Sequence, residues 1–188
     1  MARVKLLEKD QALTEAQELY EQLEKNGTII LNLYKTAAHS PRAMRNFIRL
    51  GNSLLTAAEL SPKLREMVIL RIARLTGSEY EWSQHYPIAL EVGVSKEQAE
   101  EIESWSDSKH FTDEEKAVLR YTDEVAQNIR VENKTFKELA KYLTERSIVE
   151  LTLSIGYWGM VARLLVPLQV EIDIKSVSSA KDLMGEKT

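Results

Sequence analysis

The sequence predicts an all-α protein built from many helices. Strand-like alternation is scarce, apolar residues recur at three- and four-residue spacing along most of the chain, and N-cap signals open one such run after another.

Leu13 to Lys25 places Leu13, Ala16, Leu19, Tyr20 and Leu23 on one helical face, and Gly27 follows as a stop. Thr28 to Ala38 is a short apolar run that fits helix or strand by pattern. The segment Leu31 to Lys35, followed by Thr-Ala-Ala and a Ser40-Pro41 break, favours helix. Ser40-Pro41 and Ser61-Pro62 each pair an N-cap residue with proline at the first helical position. They start helices over Pro41 to about Thr56 and Pro62 to Thr76. Gly51 weakens the first of these unless a neighbour packs close. Gly77 ends the second, and another run opens at Ser78 and carries His85. Ser95 with Gln98, and Thr112 with Glu115, fit the capping box and open helices at about Lys96 to Glu103 and Asp113 to Asn128. Asn133 caps a helix to about Tyr142. Thr144 opens the last and most apolar helix, to about Leu165. Apolar nearly all round, it is expected to be a buried central helix or a subunit contact. Residues 175–188 are polar, rich in lysine and serine, and expected to fray as a flexible tail.

The 188 residues suit one domain over 1–188, with a core over about 40–170 and an N-terminal helical extension over 1–39. The hydrophobic share of 44% is enough for a core. A net charge of −4 with mixed signs and no basic patch argues against a nucleic-acid or anionic-membrane partner. No run approaches the roughly 20 apolar residues of a membrane helix, and the start lacks a signal-like apolar stretch. Cytoplasm is the default location. With no cysteine, these residues form no disulfide, thiolate metal site or thiol nucleophile. No phosphate-binding glycine loop, nucleotide motif or serine nucleophile elbow is present, so no organic cofactor is expected.

The candidate chemistry lies between Glu66 and His85. Glu81 and His85 are four residues apart and share a helix face, with Glu66 one helix earlier. Carboxylates and an imidazole together can move a proton near neutral pH. Two plainer readings compete. Ser78-x-x-Glu81 is a capping-box match, and Glu81 with His85 fits an ordinary intrahelical pair. Against these, Glu66, Ser78, Glu81 and His85 interrupt otherwise apolar surroundings, and buried polar groups need partners.

The string Leu64-Arg65-Glu66-Met67-Val68-Ile69-Leu70-Arg71, then Gly77-Ser78-Glu79-Tyr80-Glu81-Trp82-x-x-His85, then Ala89-Leu90-Glu91-Val92-Gly93-Val94-Ser95, resembles the carboxymuconolactone decarboxylase and alkylhydroperoxidase D superfamily. Glu115 to Thr122 and Glu150 to Arg163 resemble the rest of that domain. The Glu-Trp-x-x-His form is similar to the decarboxylase branch. The resemblance implies an all-helical domain that assembles with itself as a trimer or hexamer, with its site near subunit contacts. In the hydroperoxidase branch a Cys-x-x-Cys pair opens the second helix, served by a glutamate and a histidine as proton relay. Here Glu66 and His85 keep the relay positions, while Ser78 and Glu81 stand where the cysteines would be. A thiol peroxidase reaction is therefore excluded for these residues.

The leading expectation is decarboxylation or proton transfer on a small lactone or organic acid. His85 moves the proton, Glu81 orients and tunes His85, and Glu66 is a second relay carboxylate. Ser78, Trp82 and Arg163 are candidate substrate contacts, with Arg163 favoured for a substrate carboxylate because it is a strong cation on an apolar helix. The alternative is a non-catalytic helical oligomer that binds a small ligand or a partner, with the acidic stretch Glu97 to Glu115 as a contact surface. A metal held by Glu66, Glu81 and His85 is a third reading, and the spacing is not that of a di-iron bundle. No metal is expected. His39 and His110 read as surface histidines.

Overall fold

The computed structural model describes residues 1–173, and every regular element among them is helical. In chain order these are α1 (Thr14–Lys25), α2 (Asn32–Ala37), α3 (Pro41–Thr56), α4 (Pro62–Thr76), α5 (Glu79–Glu91), α6 (Lys96–Glu100), α7 (Asp113–Asn128), α8 (Asn133–Leu139) and α9 (Glu145–Leu168). Two 3-10 turns lie at Lys9–Gln11 and Ile102–Ser104. The flexible tail expected over 175–188 falls outside the described residues.

Most boundaries follow the caps. Ser61 Oγ accepts from the Leu64 N–H at 3.2 Å. The Ser95/Gln98 and Thr112/Glu115 capping boxes are both complete. Ser40 makes no side-chain cap bond, so Pro41 is the local start signal of α3. Three expectations shift. Thr28 to Leu31 is not helical, because the Thr28 N–H closes the end of α1 on Leu23 O at 2.9 Å and Leu31 is extended. The helix expected to reach Glu103 stops at Glu100 and continues as a 3-10 turn. Asn133 is the first residue of α8, and the extended N-cap position belongs to Glu132.

The central helix is α4. Every residue from Leu64 to Ala73 is buried, and α4 packs against α5, α7 and α9. Its charges disguise that position in the sequence. Each has a partner: Arg65 Nε lies 3.4 Å from Glu66 Oε1, and Arg71 forks onto Asp123 at 2.6 and 2.9 Å while donating to the Ile102 and Glu103 carbonyls at 3.0 Å. Buried charges persist where such partners offset their lost hydration.

One side of α9, with Leu151, Ile155, Trp158, Ala162 and Leu165, packs inward, while Val149, Leu153, Met160 and Val166 remain exposed. By length and composition alone α9 could cross a bilayer, contrary to the sequence expectation, yet 50% of its apolar stretch is buried inside the fold. α4 also separates two apolar clusters. The larger gathers Tyr20, Leu31, Met44, Ile69, Trp158 and their neighbours, and the smaller Met67, Leu70, Trp105, Phe111 and Leu119.

At the end of α4, Gly77 adopts a left-handed conformation with φ 65°, which suits a residue without Cβ. The chain therefore turns directly into α5, and the two helices lie against each other. That turn brings Glu66 and His85 within reach.

Candidate active site

Glu66 on α4 is fully shielded from solvent, and its Oε2 lies 2.7 Å from Nδ1 of His85 on α5. Its other oxygen faces Arg65 Nε at 3.4 Å, and Arg65 also donates to the Leu54 carbonyl at 3.4 Å. On the far side of the imidazole, the indole N–H of Trp158 on α9 donates to His85 Nε2 at 3.3 Å. The two rings meet edge to face, with centroids 5.9 Å apart and planes at 86°.

These contacts assign the tautomer. An indole N–H can only donate, so Nε2 is the acceptor and carries no proton. The proton of the neutral ring is then on Nδ1, where Glu66 accepts it. His85 is thus presented as a base whose lone pair is held by a bond at the long end of the usual range. A substrate group can displace that bond at small cost.

His85 and Trp158 line a cavity that offers about 60 Å³ to the centres of water-sized molecules. Tyr34, Phe47, Tyr80 and Tyr157 supply further aromatic wall, and Glu81 and Gln84 join from α5. Two of the phenol hydroxyls are already committed. Tyr157 donates to the Phe47 carbonyl at 3.1 Å. Tyr80 donates to Asp173 and accepts from the Leu33 N–H at 3.2 Å. Burial raises the pKa of Tyr34 to about 12, with Asp173 adding to the shift. It also raises Tyr80, with Asp173 again adding, and Tyr157, with Tyr34 and Glu81 adding. All three phenols therefore stay uncharged at neutral pH.

Glu81 differs from every other buried acid here. It is 2% exposed, and neither carboxyl oxygen has a hydrogen-bond partner. Ser78 Oγ accepts from the Glu81 backbone N–H at 3.4 Å, but the Glu81 side chain does not return to close a capping box. Burial pushes the carboxyl up to about 8, and the nearby Ser78 hydroxyl tempers that shift. At neutral pH, Glu81 is mainly a carboxylic acid.

The structure therefore brings Glu66, Glu81 and His85 together, with a change of roles. Glu66, rather than Glu81, orients the imidazole, because the α4–α5 turn brings it to Nδ1. Glu81 is left facing the cavity. Ser78 acts as the N-cap of α5 and lies at a separate surface hollow with Gln169 and Val170. Trp82 does not line the cavity. It lies beneath the Arg74 guanidinium, 3.5 Å from the ring centroid, and beside Tyr86. Arg163 is exposed and donates back to its own helix at Gly159 O, 2.7 Å away, so it gives the cavity no cation. Glu150, on the same helix, binds Arg146 at 2.9 Å and the backbone N–H groups of Glu59 and Leu60. Among the described residues no three His, Asp or Glu side chains converge as metal ligands.

Sequence reasoning missed Trp158, Tyr34, Tyr80, Tyr157 and Asp173. An aromatic residue on an apolar helix, such as Tyr157 or Trp158, reads as core or subunit contact from sequence alone. Asp173 reaches the site through contacts 89 to 141 residues away in sequence, which no local pattern reveals.

Residues 41–124 match the carboxymuconolactone decarboxylase family. No curated protein matches the chain in sequence. Among solved structures, an uncharacterized peroxidase-related protein with an alkylhydroperoxidase AhpD core from Ralstonia eutropha JMP134 superposes with a TM-score of 0.78 at 18% identity, over 92% of this chain and 93% of that one. A protein of unknown function from Agrobacterium tumefaciens, described as a putative antioxidant defence protein AhpD, gives a TM-score of 0.69 at 21% identity, over 74% of this chain and 96% of that one. The debrominase Bmp8, in complex with 2,3,4-tribromopyrrole, gives a TM-score of 0.73 at 18% identity, over 93% of this chain and 95% of that one. At these identities the structural likeness establishes a shared fold.

Proposed function

Because the chain is a member of the carboxymuconolactone decarboxylase and alkylhydroperoxidase D-like superfamily, by its 41–124 segment and its fold, we propose that it is an acid–base enzyme. In this reading it moves a proton on a small lactone or related carbonyl compound through the Glu66–His85 pair. The observation that carries the reading is the 2.7 Å contact between a shielded carboxylate and a cavity-lining imidazole whose Nε2 is free of a proton. His85 Nε2 takes a proton from the carbon beside the carbonyl. Glu66 then stabilises the imidazolium through Nδ1, as a buried carboxylate does for a catalytic histidine. Between the two reactions expected from sequence, the lining favours proton transfer over decarboxylation, since among the described residues it contains no lysine or arginine to seat a substrate carboxylate. Neither reaction involves sulfur, as the chain has no cysteine.

The test is deuterium uptake from D2O at the carbon beside the carbonyl of small lactones and cyclic ketones, followed by NMR. Wild type is expected to accelerate exchange above the buffer rate, and His85→Ala to lose at least about a hundredfold of that acceleration. No acceleration by wild type favours the non-catalytic ligand-binding reading instead, and full acceleration by His85→Ala overturns the role of His85 as the base.

A further inference from the structure

We propose that Glu81 meets the ligand directly, giving a hydrogen bond from its carboxyl group to the oxygen of a small uncharged carbonyl compound, and that this cavity rejects carboxylates. The inference deepens the proton-transfer reading by naming its substrate class and the group opposite the base.

Glu81 carries the argument. Its two oxygens are the only buried side-chain oxygen or nitrogen atoms among the described residues that lack a partner. A buried polar group without a partner costs on the order of 1–3 kcal/mol, so the arrangement is explained if a ligand completes it. The half-formed cap at Ser78 points the same way. The N3 side chain that would normally reach back to the backbone is directed to the cavity instead.

The surroundings select the charge of the ligand. α2 presents Tyr34, α3 presents Phe47 and Leu55, α5 presents Tyr80, Gln84 and His85, and α9 presents Tyr157 and Trp158. Behind His85 lies the Glu66 carboxylate with Arg65 on its other oxygen, and beside Tyr80 and Gln84 lies Asp173. Among the described residues no lysine or arginine lines the cavity, and three carboxyl groups lie in or beside it. An incoming carboxylate would lose its hydration without a counter-charge. An ammonium would need Glu81 ionised in a largely apolar setting, where neither of its oxygens accepts a hydrogen bond. A neutral carbonyl avoids both penalties and accepts the proton that burial keeps on Glu81.

The chemistry balances without a co-reactant. His85 Nε2 takes a proton from the carbon beside the carbonyl, and the C–H electron pair forms a C=C bond. The C=O π pair moves to oxygen, which takes the Glu81 proton and yields an enol. Return of the two protons in reverse, or at a different carbon, restores both side chains. A neutral carboxyl facing a developing enolate oxygen stabilises it where an ionised one would repel it.

The test compares three probes with one ring, cyclopentanone, cyclopentanecarboxylate and cyclopentylammonium, by calorimetric titration and NMR shift mapping. Wild type at pH 6.5 is expected to bind cyclopentanone saturably and more weakly at pH 9.5, with neither ion binding as tightly. Glu81→Gln, which keeps a donor, is expected to bind cyclopentanone within about threefold of wild type and equally at both pH values, whereas Glu81→Leu loses about tenfold or more. Tighter binding of either ion, unchanged ketone binding by a folded Glu81→Leu, or no saturable ketone binding by wild type overturns the proposal. These readouts do not need turnover. If deuterium exchange fails but this binding pattern holds, the proton-transfer reading falls alone. If exchange depends on His85 but binding ignores Glu81, only the inference about Glu81 falls.

Discussion

The indole of Trp158 and the imidazole of His85 meet N–H to lone pair at 3.3 Å, so the ring that Glu66 holds at Nδ1 is fixed at both nitrogens. A protonated imidazole has no lone pair for the indole, so charging His85 means losing this bond. In 15N NMR of the neutral imidazole, the His85 Nε2 resonance should therefore be that of an unprotonated nitrogen and the Nδ1 resonance that of a protonated one. Trp158→Phe should leave Nδ1 bound to Glu66 while freeing Nε2. The reverse tautomer in wild type would contradict the assignment.

Glu66 supports stability as well as chemistry. It is shielded completely, and Arg65 beside it is 4% exposed. Removing only the carboxylate leaves Arg65 charged and uncompensated, which typically costs about 3–5 kcal/mol. Glu66→Leu should lower the urea unfolding free energy by that order, and Glu66→Gln, which keeps an acceptor for Nδ1–H, by less. Equal stability of Glu66→Leu and wild type would show that Arg65 finds another partner.

Much of this fold was legible because its helix ends are chemically marked. The Ser61-Pro62 start and Gly77 stop of α4, and the boxes at Ser95 and Thr112, are local signals. The centre was harder to read. Arg65, Glu66 and Arg71 make α4 look amphipathic, whereas their charges are cancelled by partners such as Asp123, 52 residues beyond Arg71. The nearly all-round apolar pattern of α9 suggested a buried central helix or a subunit contact, and half of its apolar stretch is buried inside the fold. At the site, Glu66, Glu81 and His85 were visible as polar interruptions of apolar runs. Their division of labour was not, because spacing pairs Glu81 with His85 while the α4–α5 turn pairs Glu66 with it. Arg163 was singled out as a strong cation near the end of an apolar helix, but its side chain folds back onto Gly159 O.

Gly51 and Tyr157 form a second constraint on the cavity. A Cβ at position 51 would overlap the Tyr157 hydroxyl and lie 2.8 Å from Cζ, so the absence of a side chain on α3 lets the phenol donate to Phe47 O. Gly51→Ala gains helix propensity of about 1 kcal/mol but must displace a buried ring, and overpacking of this kind costs about 1–3 kcal/mol. The expected net outcome is a modest loss of stability in urea, accompanied by a changed near-ultraviolet circular dichroism signal from Tyr157 and Trp158. A variant more stable than wild type with an unchanged aromatic signal would show that the ring moves freely.

The raised pKa of Glu81 makes a signed prediction about pH. Its carboxyl titrates near 8 in the folded chain, against an ordinary glutamate value of about 4.3 in the unfolded one. Between those values the folded state holds a proton that the unfolded state has released. Stability from this group is therefore fully present below about pH 4, falls as pH rises, and levels off above about 8, with a maximum slope of about 1.4 kcal/mol per pH unit. Other groups also titrate over this window, so the difference between wild type and Glu81→Gln isolates the effect, because the amide cannot ionise. Urea unfolding at several pH values from 5 to 9 should show Glu81→Gln gaining on wild type steadily up to about pH 8, then running parallel to it. If the difference stays constant across the range, Glu81 is ionised in the folded protein despite its burial, and it cannot donate to a carbonyl oxygen.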